Sequence, residues 1–302
     1  MRLKEAAKQF INAKEIENLA EKTISIYSRM LNEFTNYTGD IPLEDLSADH
    51  VRDFLGYQRN RDARFGKISD ATLHKYYSVI RTFSRWLRDQ DYKVISATEK
   101  VSAPRMETKL PEALSDKEVQ RLFQYLLAYS SKRVQLLFTF FLDTGARLQE
   151  VVGLNLSDLH LEDGWVKVYG KGRRERILPL GNKLQRDLKE YVKYIRPEIA
   201  NKDEEALFVT EDGARYAAEG LSTLVKTKLK KVGIHGHYGP HKLRHTYATN
   251  YLRNGGNLEQ LRLVLGHRDI STTQRYLSLL PEDLYKAQQS ASPIDHLYKG
   301  IH

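Results

Sequence analysis

The first hundred residues space their apolar positions three and four apart, the spacing of amphipathic helices. One such stretch runs from Ile24 to Phe34, a second from Val51 to Tyr57 and a third from Leu73 to Leu87. Residues able to cap these helices stand just before them: Thr23, Ser47, and Ser69 or Asp70. No alternating strand pattern interrupts the three stretches, so this part of the chain predicts a small all-helical bundle.

The remainder of the chain mixes helical and strand patterns. Ser115 and Glu118 form an S-x-x-E capping box at the start of a strongly helical stretch, residues 119–142. From Lys183 onward the helical spacing returns. Two short stretches with strand character flank a glycine-containing turn: residues 165–169 and 176–180. We therefore expect a mixed α/β domain in which helices surround a small hairpin.

A proline-containing stretch with little periodicity separates these two parts. It holds Pro104 and Pro111 among small and charged residues, a composition typical of interdomain linkers. The sequence therefore predicts a helical domain at 1–102, a linker at 103–112 and a second domain at 113–302. The predicted fold class is mainly α, with a small β-sheet or hairpin in the second domain.

Composition and charge narrow the classes of protein. The absence of cysteine excludes disulfides, thiolate metal sites and a cysteine nucleophile. No stretch approaches the ~20 apolar residues of a membrane span, and the N-terminus lacks the apolar core of a signal peptide, so we expect a soluble, cytoplasmic protein. The net charge is +9, of which residues 1–100 carry +2 and residues 101–302 carry +7. A basic balance favours a polyanionic partner such as nucleic acid.

Four short motifs in the second domain carry reactive side chains. They are T-G-A-R-L-Q-E, G-K-G, H-K-L-R-H and L-G-H, and a tyrosine follows the histidine of the last one by nine residues. Taken singly, each has an ordinary interpretation: a helix cap, a polar turn, the start of an amphipathic helix, or a half-buried aromatic. The candidate site residues in these motifs are Arg147, Lys171, His241, Arg244, His267 and Tyr276.

In their order and spacing, the motifs together resemble the tyrosine recombinase family, also called the integrase family. That family uses an arginine, a hairpin lysine, H-x-x-R, L-G-H and then a tyrosine, and this chain fills all six positions. The resemblance is strong over residues 115–285. It is looser over the N-terminal domain, which is similar to the family's helical, SAM-like core-binding domain. It implies site-specific DNA strand exchange by transesterification, through a 3′-phosphotyrosyl bond and a Holliday junction.

The chemistry of strand exchange explains the cationic positions. A phosphodiester under attack gains negative charge on its nonbridging oxygens, and fixed cations stabilise that charge most where water is excluded. Arginine binds two phosphate oxygens at once and stays charged. The resemblance therefore implies a clamp of Arg147 and Arg244, with a further hydrogen bond from His267. Glu150 matches an acidic family position that would orient or screen the arginines; a plain surface ion pair with Arg147 is the alternative.

Proton transfers account for the remaining three positions. The resemblance implies that Tyr276 is the nucleophile, and its hydroxyl must lose a proton as it attacks. His241 is then the candidate base, and Lys171 is the candidate acid that protonates the leaving 5′-oxygen. Such a reaction needs no metal and no nucleotide cofactor, and the sequence contains neither a Walker P-loop nor an H-E-x-x-H motif.

Two groups of arginines are candidate DNA contacts. Arg81, Arg85 and Arg88 form a stripe along the third predicted helix, where each could bind a backbone phosphate. An ordinary solvated helix face is the alternative for this stripe. The second group flanks the predicted hairpin turn: Arg173, Arg174 and Arg176.

The resemblance also implies an assembly. The expected partner is double-stranded DNA with an inverted-repeat core site, bound by a tetramer of this chain or one shared with a paralogue. In the family a C-terminal tail, here residues 281–302, links neighbouring protomers; docking on its own domain is the alternative. The compact plan looks like a Xer-type recombinase, which resolves chromosome dimers, although plasmid, transposon and phage enzymes share it. A type IB topoisomerase and a noncatalytic DNA-binding relative are the rival functions.

Overall fold

The structure is a computed structural model that describes residues 1–61, 67–92, 98–105, 113–170, 175–234 and 238–276. The chain divides into two compact units, Met1–Lys109 and Leu110–His302, each with its own hydrophobic core. The boundary lies within the expected linker, most of which is outside the described residues. No helix among the described residues is long and apolar enough to cross a membrane.

Within the described part of the N-terminal unit, the chain forms four α-helices: α1 (Leu3–Ile16), α2 (Glu21–Thr38), α3 (Ala48–Asn60) and α4 (Asp70–Asp89). The predicted caps at Ser47 and Ser69 are confirmed: Ser47 forms a capping box with His50, and the Ser69 side chain accepts from the backbone N–H of Thr72. Helix α2 begins two residues before the predicted cap Thr23. Helix α1 is additional to the three predicted helices, and Phe10 on it is fully buried in the bundle core.

The described residues of the second unit form eight α-helices. They are α5 (Asp116–Tyr129), α6 (Lys132–Thr144), α7 (Leu148–Gly153), α8 (Asn182–Glu190, continued by a π-turn at Tyr191–Ile195), α9 (Ala218–Lys231), α10 (Pro240–Arg253), α11 (Leu258–Leu265) and α12 (Ile270–Gln274). The capping box of Ser115 and Glu118 is confirmed. The stretch predicted as helical at 119–142 is two helices, because the chain turns at Ser130. Gln135 donates to two backbone carbonyls at this break.

The sheet of the second unit is small and antiparallel. Its strands are β1 (Leu159–His160), β2 (Trp165–Tyr169) and β3 (Glu175–Pro179), in the order β1-β2-β3. The predicted hairpin of β2 and β3 is confirmed, and the two-residue β1 is too short to show alternation in the sequence. Val166 and Leu178 face each other across the hairpin and are both fully buried in the core. The pairing sets Arg176 opposite Val168, on the side of the sheet that faces the core.

Candidate active site

The first arginine of the site lies where α6 turns sharply into α7. Helix α6 ends at Gly145, which has a left-handed backbone (φ +61°) and lies so close to Tyr247 that a Cβ would collide with its ring. Glycine therefore suits both the turn and the close approach. The turn places Arg147 at the start of α7, where its Nη2 donates to the Gly266 carbonyl at 3.3 Å.

The second arginine, Arg244 on α10, is at the centre of the site and is only 4% exposed. Its Nη1 donates to the Gly145 carbonyl at 2.7 Å, and its Nη2 donates to the Leu265 carbonyl at 2.6 Å. It therefore joins the end of α6 to the end of α11. Burial, followed by the charge of Arg147, lowers the pKa of Arg244 to about 9, so the guanidinium remains cationic at neutral pH.

His267 lies immediately after α11, between Arg244 and α12. Nη2 of Arg244 is 3.2 Å from Nε2 of His267, and an arginine N–H can only donate, so Nε2 accepts. The proton of the neutral ring is then on Nδ1, which lies 2.9 Å from Oγ1 of Thr273. Burial and the charge of Arg244 lower the pKa of His267 to about 4, in agreement with a neutral ring. Donation from Nε2 to a phosphate, as expected from the sequence, would require the other tautomer.

The candidate nucleophile, Tyr276, follows α12 and is only 7% exposed. Its hydroxyl oxygen lies 2.7 Å from Nδ1 of His245 on α10. Burial raises the pKa of the Tyr276 hydroxyl, while nearby arginines, Arg244 first among them, act to lower it. His245 is the last residue of the motif H-K-L-R-H, and no local spacing signals its contact because Tyr276 lies 31 residues farther along the chain.

The candidate base, His241, makes no hydrogen bond with Tyr276. His241 is exposed in the first turn of α10 and has no hydrogen-bond partner within the described part of the chain. Partial burial, followed by the charges of Arg244 and Arg147, lowers the pKa of His241. Three predicted hairpin residues lie outside the described residues: Lys171, Arg173 and Arg174.

The side chain of Arg176, a predicted DNA contact, points into the protein. Its side chain is 12% exposed, and both terminal nitrogens donate to the Glu150 carboxylate, Nη2 at 2.9 Å. Its Nε donates to the Val264 carbonyl at 2.7 Å. The physical reason is Glu150, whose side chain is 1% exposed and needs cationic partners. Arg176 therefore links β3 to α7 and α11, and the expected DNA contact at this residue stays a prediction.

Glu150 connects the two arginines on either side of it. Its Oε2 accepts from the backbone N–H of Arg147 at 2.7 Å and its Oε1 from Nη1 of Arg147 at 2.9 Å, in addition to the bonds from Arg176. Burial raises the pKa of Glu150, but the bonds and charges of Arg176 and then Arg147 outweigh it, so the pKa lies below its ordinary value. Glu150 is therefore a buried carboxylate that holds the partly exposed Arg147 and the more buried Arg176, and its orienting role stays a prediction.

Glu150→Gln is expected to lower the free energy of unfolding by about 3 kcal/mol, because it leaves two buried or half-buried arginines without their counter-charge. Urea unfolding monitored by circular dichroism measures the change. Glu190→Gln is the matched control, because Glu190 pairs with Lys132 at 2.9 Å on an exposed surface, and a much smaller change is expected there. Equal losses in the two variants would contradict the buried linking role of Glu150.

The predicted arginine stripe lies on α4 of the N-terminal unit. Arg81, Arg85 and Arg88 are exposed and border a cleft of about 240 Å³. Arg88 pairs with Glu99 at 3.2 Å. For Arg81 and Arg85, the described residues provide no ion-pair partner. These two guanidinium groups are therefore available to an anionic ligand.

The second unit thus contains a cluster of cationic side chains and a histidine with a tyrosine close to it. Arg147, Arg244 and His267 meet at the turn that follows α11, and Tyr276 lies beside them. Two arginines with fixed positions suit a phosphate diester, whose charge they would bind and stabilise. In the described part of the chain, no group of three acidic or histidine side chains is arranged to hold a metal ion.

Two family models match the chain. The model described as the phage integrase family matches residues 112–282, and the model described as the phage integrase, N-terminal SAM-like domain, matches residues 7–93. The chain is similar over nearly its whole length to a tyrosine recombinase XerD of Oceanobacillus iheyensis, with 33% identity over 299 residues that cover 96% of this chain and 99% of the relative. A tyrosine recombinase XerD of Staphylococcus epidermidis is 31% identical over 293 residues, covering 94% and 97%.

Solved structures share the fold at lower identity. The Tn1549 transposon integrase in complex with transposon right end DNA superposes with a TM-score of 0.79 at 17% identity, covering 97% of this chain and 99% of that one. The XerH site-specific recombinase bound to a palindromic difH substrate, a post-cleavage complex, superposes with a TM-score of 0.73 at 22% identity, covering 93% and 82%. Both confirm the two-part fold.

Proposed function

Because the chain belongs to the phage integrase family and is a tyrosine-type site-specific recombinase, we propose that Tyr276 cuts and rejoins its DNA through a 3′-phosphotyrosyl intermediate. The observation that carries this assignment is the position of Tyr276: it lies close enough to Arg244 and Arg147, which cluster with His267, for their charges to act on its hydroxyl. A phenol oxygen next to fixed cations is where a scissile phosphate would meet both its nucleophile and its charge stabilisation.

The two arginines bind the phosphate. Arg244 is already held by two backbone carbonyls, so its guanidinium pays little conformational entropy when the phosphate arrives. Glu150 holds Arg147 in the same way, through a backbone and a side-chain hydrogen bond. The negative charge that develops on the nonbridging oxygens is stabilised by cations that do not have to reorganise.

The chemical step exchanges one phosphodiester for another. The Tyr276 oxygen bonds to phosphorus, the bond from phosphorus to the 5′-oxygen breaks, and Lys171 protonates that leaving oxygen. A histidine of α10 takes the phenol proton, and His241 is the residue that the family resemblance assigns to this task. The phosphotyrosyl bond retains the energy of the original linkage, so the 5′-hydroxyl of a second strand can reverse the step.

Both units contribute to DNA binding in this proposal. Residues 1–102 act as a core-binding domain and residues 113–302 as the catalytic domain, with an inverted-repeat core site between protomers of a tetramer. Support comes from the similarity to XerD recombinases along the whole chain and from relatives that are bound to DNA. The same similarity favours a Xer-type role over a transposon or phage role, and the tail at 281–302 is the proposed link between protomers.

The arginine stripe on α4 gives a prediction about binding. Arg81→Ala and Arg85→Ala are each expected to lower the slope of log affinity against log salt concentration by about one, because each loses one phosphate contact. Fluorescence anisotropy titrations at several salt concentrations measure the slope. Lys75→Ala is the control, because Lys75 is exposed on another face of α4. An unchanged slope in both arginine variants would make the stripe an ordinary solvated face.

Covalent capture tests the proposed function. The substrate is a duplex with an inverted-repeat site that the protein binds. A nick near the cleavage point makes the strand beyond it short, so this strand dissociates after cleavage. In EDTA and without nucleotide, the protein is expected to form an adduct that survives denaturation. Failure on a duplex that the protein binds would contradict the proposal and favour a noncatalytic DNA-binding relative.

A two-site substrate distinguishes recombination from topoisomerase activity. A recombinase is expected to join two sites into a Holliday junction, which migrates as a branched species on a native gel. Adduct formation and supercoil relaxation without a junction would instead assign the chain to a type IB topoisomerase activity.

A further inference from the structure

His245 is the side chain in direct contact with the candidate nucleophile. Its Nδ1 lies 2.7 Å from the Tyr276 hydroxyl oxygen, and the two rings are tilted by 47° with their centres 5.6 Å apart. A distance of this length is that of a good hydrogen bond between a phenol and an imidazole. His241, one helical turn earlier on α10, is exposed and makes no such contact within the described residues.

We propose that His245, rather than His241, accepts the proton of Tyr276 when the tyrosine attacks the phosphate. The inference rests on the proposed function and deepens it, by naming the base of the cleavage step. In that step the O–H bond of Tyr276 breaks and its proton moves to Nδ1 of His245. The oxygen bonds to phosphorus, the phosphorus–O5′ bond breaks, and the 5′-oxygen takes a proton from Lys171. In the rejoining step, His245 returns its proton to the tyrosine oxygen.

The surroundings of His245 keep its imidazole ring neutral, and only the neutral ring can accept a proton. Burial, followed by the nearby His241 and Arg244, lowers the pKa of His245 to about 4, so the ring is neutral in the free protein. A neutral imidazole has one unprotonated nitrogen, and the geometry directs Nδ1 at the hydroxyl. The same arginine favours negative charge on the Tyr276 oxygen, which assists departure of the proton.

A bound phosphate would make proton transfer from Tyr276 to His245 more favourable. In the free protein the imidazolium form of His245 is disfavoured by the positive charge of Arg244. The scissile phosphate would bring negative charge to the arginines, and that charge increases as the tyrosine attacks. Proton transfer to His245 therefore becomes favourable when DNA occupies the pocket. This arrangement limits formation of a reactive phenolate to the DNA-bound state, and it leaves His241 free to contact the phosphate.

Single-turnover cleavage with two leaving groups tests the inference. Wild type, His245→Ala and His245→Asn are compared at saturating protein on a nicked duplex with either the natural 5′-oxygen or a bridging 5′-sulfur. Asparagine keeps a hydrogen-bond acceptor near the position of Nδ1 but cannot take up a proton. Both variants are expected to cleave about 10²–10³-fold more slowly than wild type with either leaving group. Lys171→Ala, by contrast, is expected to recover with sulfur, which leaves without protonation.

Controls separate this inference from the proposed function and from misfolding. His160→Asn changes a histidine that stacks on Trp165 in the sheet, and it should cleave at the wild-type rate. His245→Gln is a second variant. Unfolding curves and DNA-affinity measurements show that each variant is folded and binds DNA.

Three outcomes would contradict the account. Cleavage by His245→Asn at the wild-type rate would mean that His245 only orients Tyr276. Recovery of the His245 variants with sulfur would place it on the leaving-group side. Absence of any wild-type adduct would contradict the proposed function itself.

Discussion

Tyr276→Phe is expected to bind the recombination site as tightly as wild type and to form no covalent adduct with it. The substitution removes the oxygen that would bond to phosphorus while keeping the buried ring in place. Loss of the nucleophile of a covalent mechanism lowers the rate on the order of 10⁴-fold or more. The loss of one hydrogen bond, to His245, costs about 1 kcal/mol of stability. Denaturing gels with end-labelled DNA measure the adduct, and gel shifts measure binding.

Tyr251→Phe is the matched control for this prediction. Tyr251 lies in the same aromatic cluster of α10 and loses only a hydroxyl that contacts Gln260 at 3.2 Å. It should form the adduct at the wild-type rate. An adduct that persists with Tyr276→Phe would mean that another residue is the nucleophile, and the assignment of the site would have to be abandoned.

Arg244→Lys is expected to slow strand cleavage about 10²–10³-fold, although the positive charge is kept. The planar guanidinium of Arg244 donates to the carbonyls of Gly145 and Leu265 and lies 3.2 Å from His267. A lysine has one ammonium group and cannot hold both carbonyls and two phosphate oxygens together. Single-turnover cleavage measures the rate. The protein is saturating, so the measured rate does not depend on DNA affinity.

Arg196→Lys controls for the cost of replacing a buried arginine. Arg196 is 7% exposed and donates to the carbonyls of Ala206 and Glu204, an environment like that of Arg244 but without a link to the candidate site. The two variants should lose similar stability, whereas cleavage should fall in Arg244→Lys alone. Equal cleavage rates in the two variants would remove Arg244 from the phosphate clamp.

Local signals explain why much of the fold could be predicted from the sequence. Caps such as Ser47, Ser69 and the Ser115–Glu118 box act within one helical turn, so a few neighbouring residues specify them. The hairpin follows from strand alternation on both sides of a glycine-containing turn. Helix α1 lacks a side-chain cap, and the break between α5 and α6 depends on contacts of Gln135, so neither is evident in the spacing.

The inward orientation of Arg176 shows what residue type alone does not reveal. On β3 the polar Arg176 faces inward, whereas the apolar Ile177 is 54% exposed. The alternation with Leu178 would have placed Arg176 on the inner side, but an arginine beside a basic turn suggests a DNA contact. The deciding factor is the buried carboxylate of Glu150, which lies 26 residues earlier in the chain and is brought to β3 by the tertiary fold.

The contact of His245 with Tyr276 could not be predicted from the sequence for a similar reason. The sequence places His245 next to Arg244 in one motif and Tyr276 in another, and both are visible as motifs. Their contact depends on how α12 returns the chain to α10, which no local spacing encodes. The contact between His245 and Tyr276 is therefore the feature of this site for which the structure adds most to the sequence.

Identification of the residue that is covalently bound to DNA tests the central claim most directly. The adduct from the nicked duplex is digested with nuclease and protease, and the DNA-linked peptide is sequenced by tandem mass spectrometry. The proposed mechanism predicts a nucleotide 3′-phosphate attached to the hydroxyl of Tyr276. A nucleotide on any other residue, or a 5′-phosphate linkage, would contradict it.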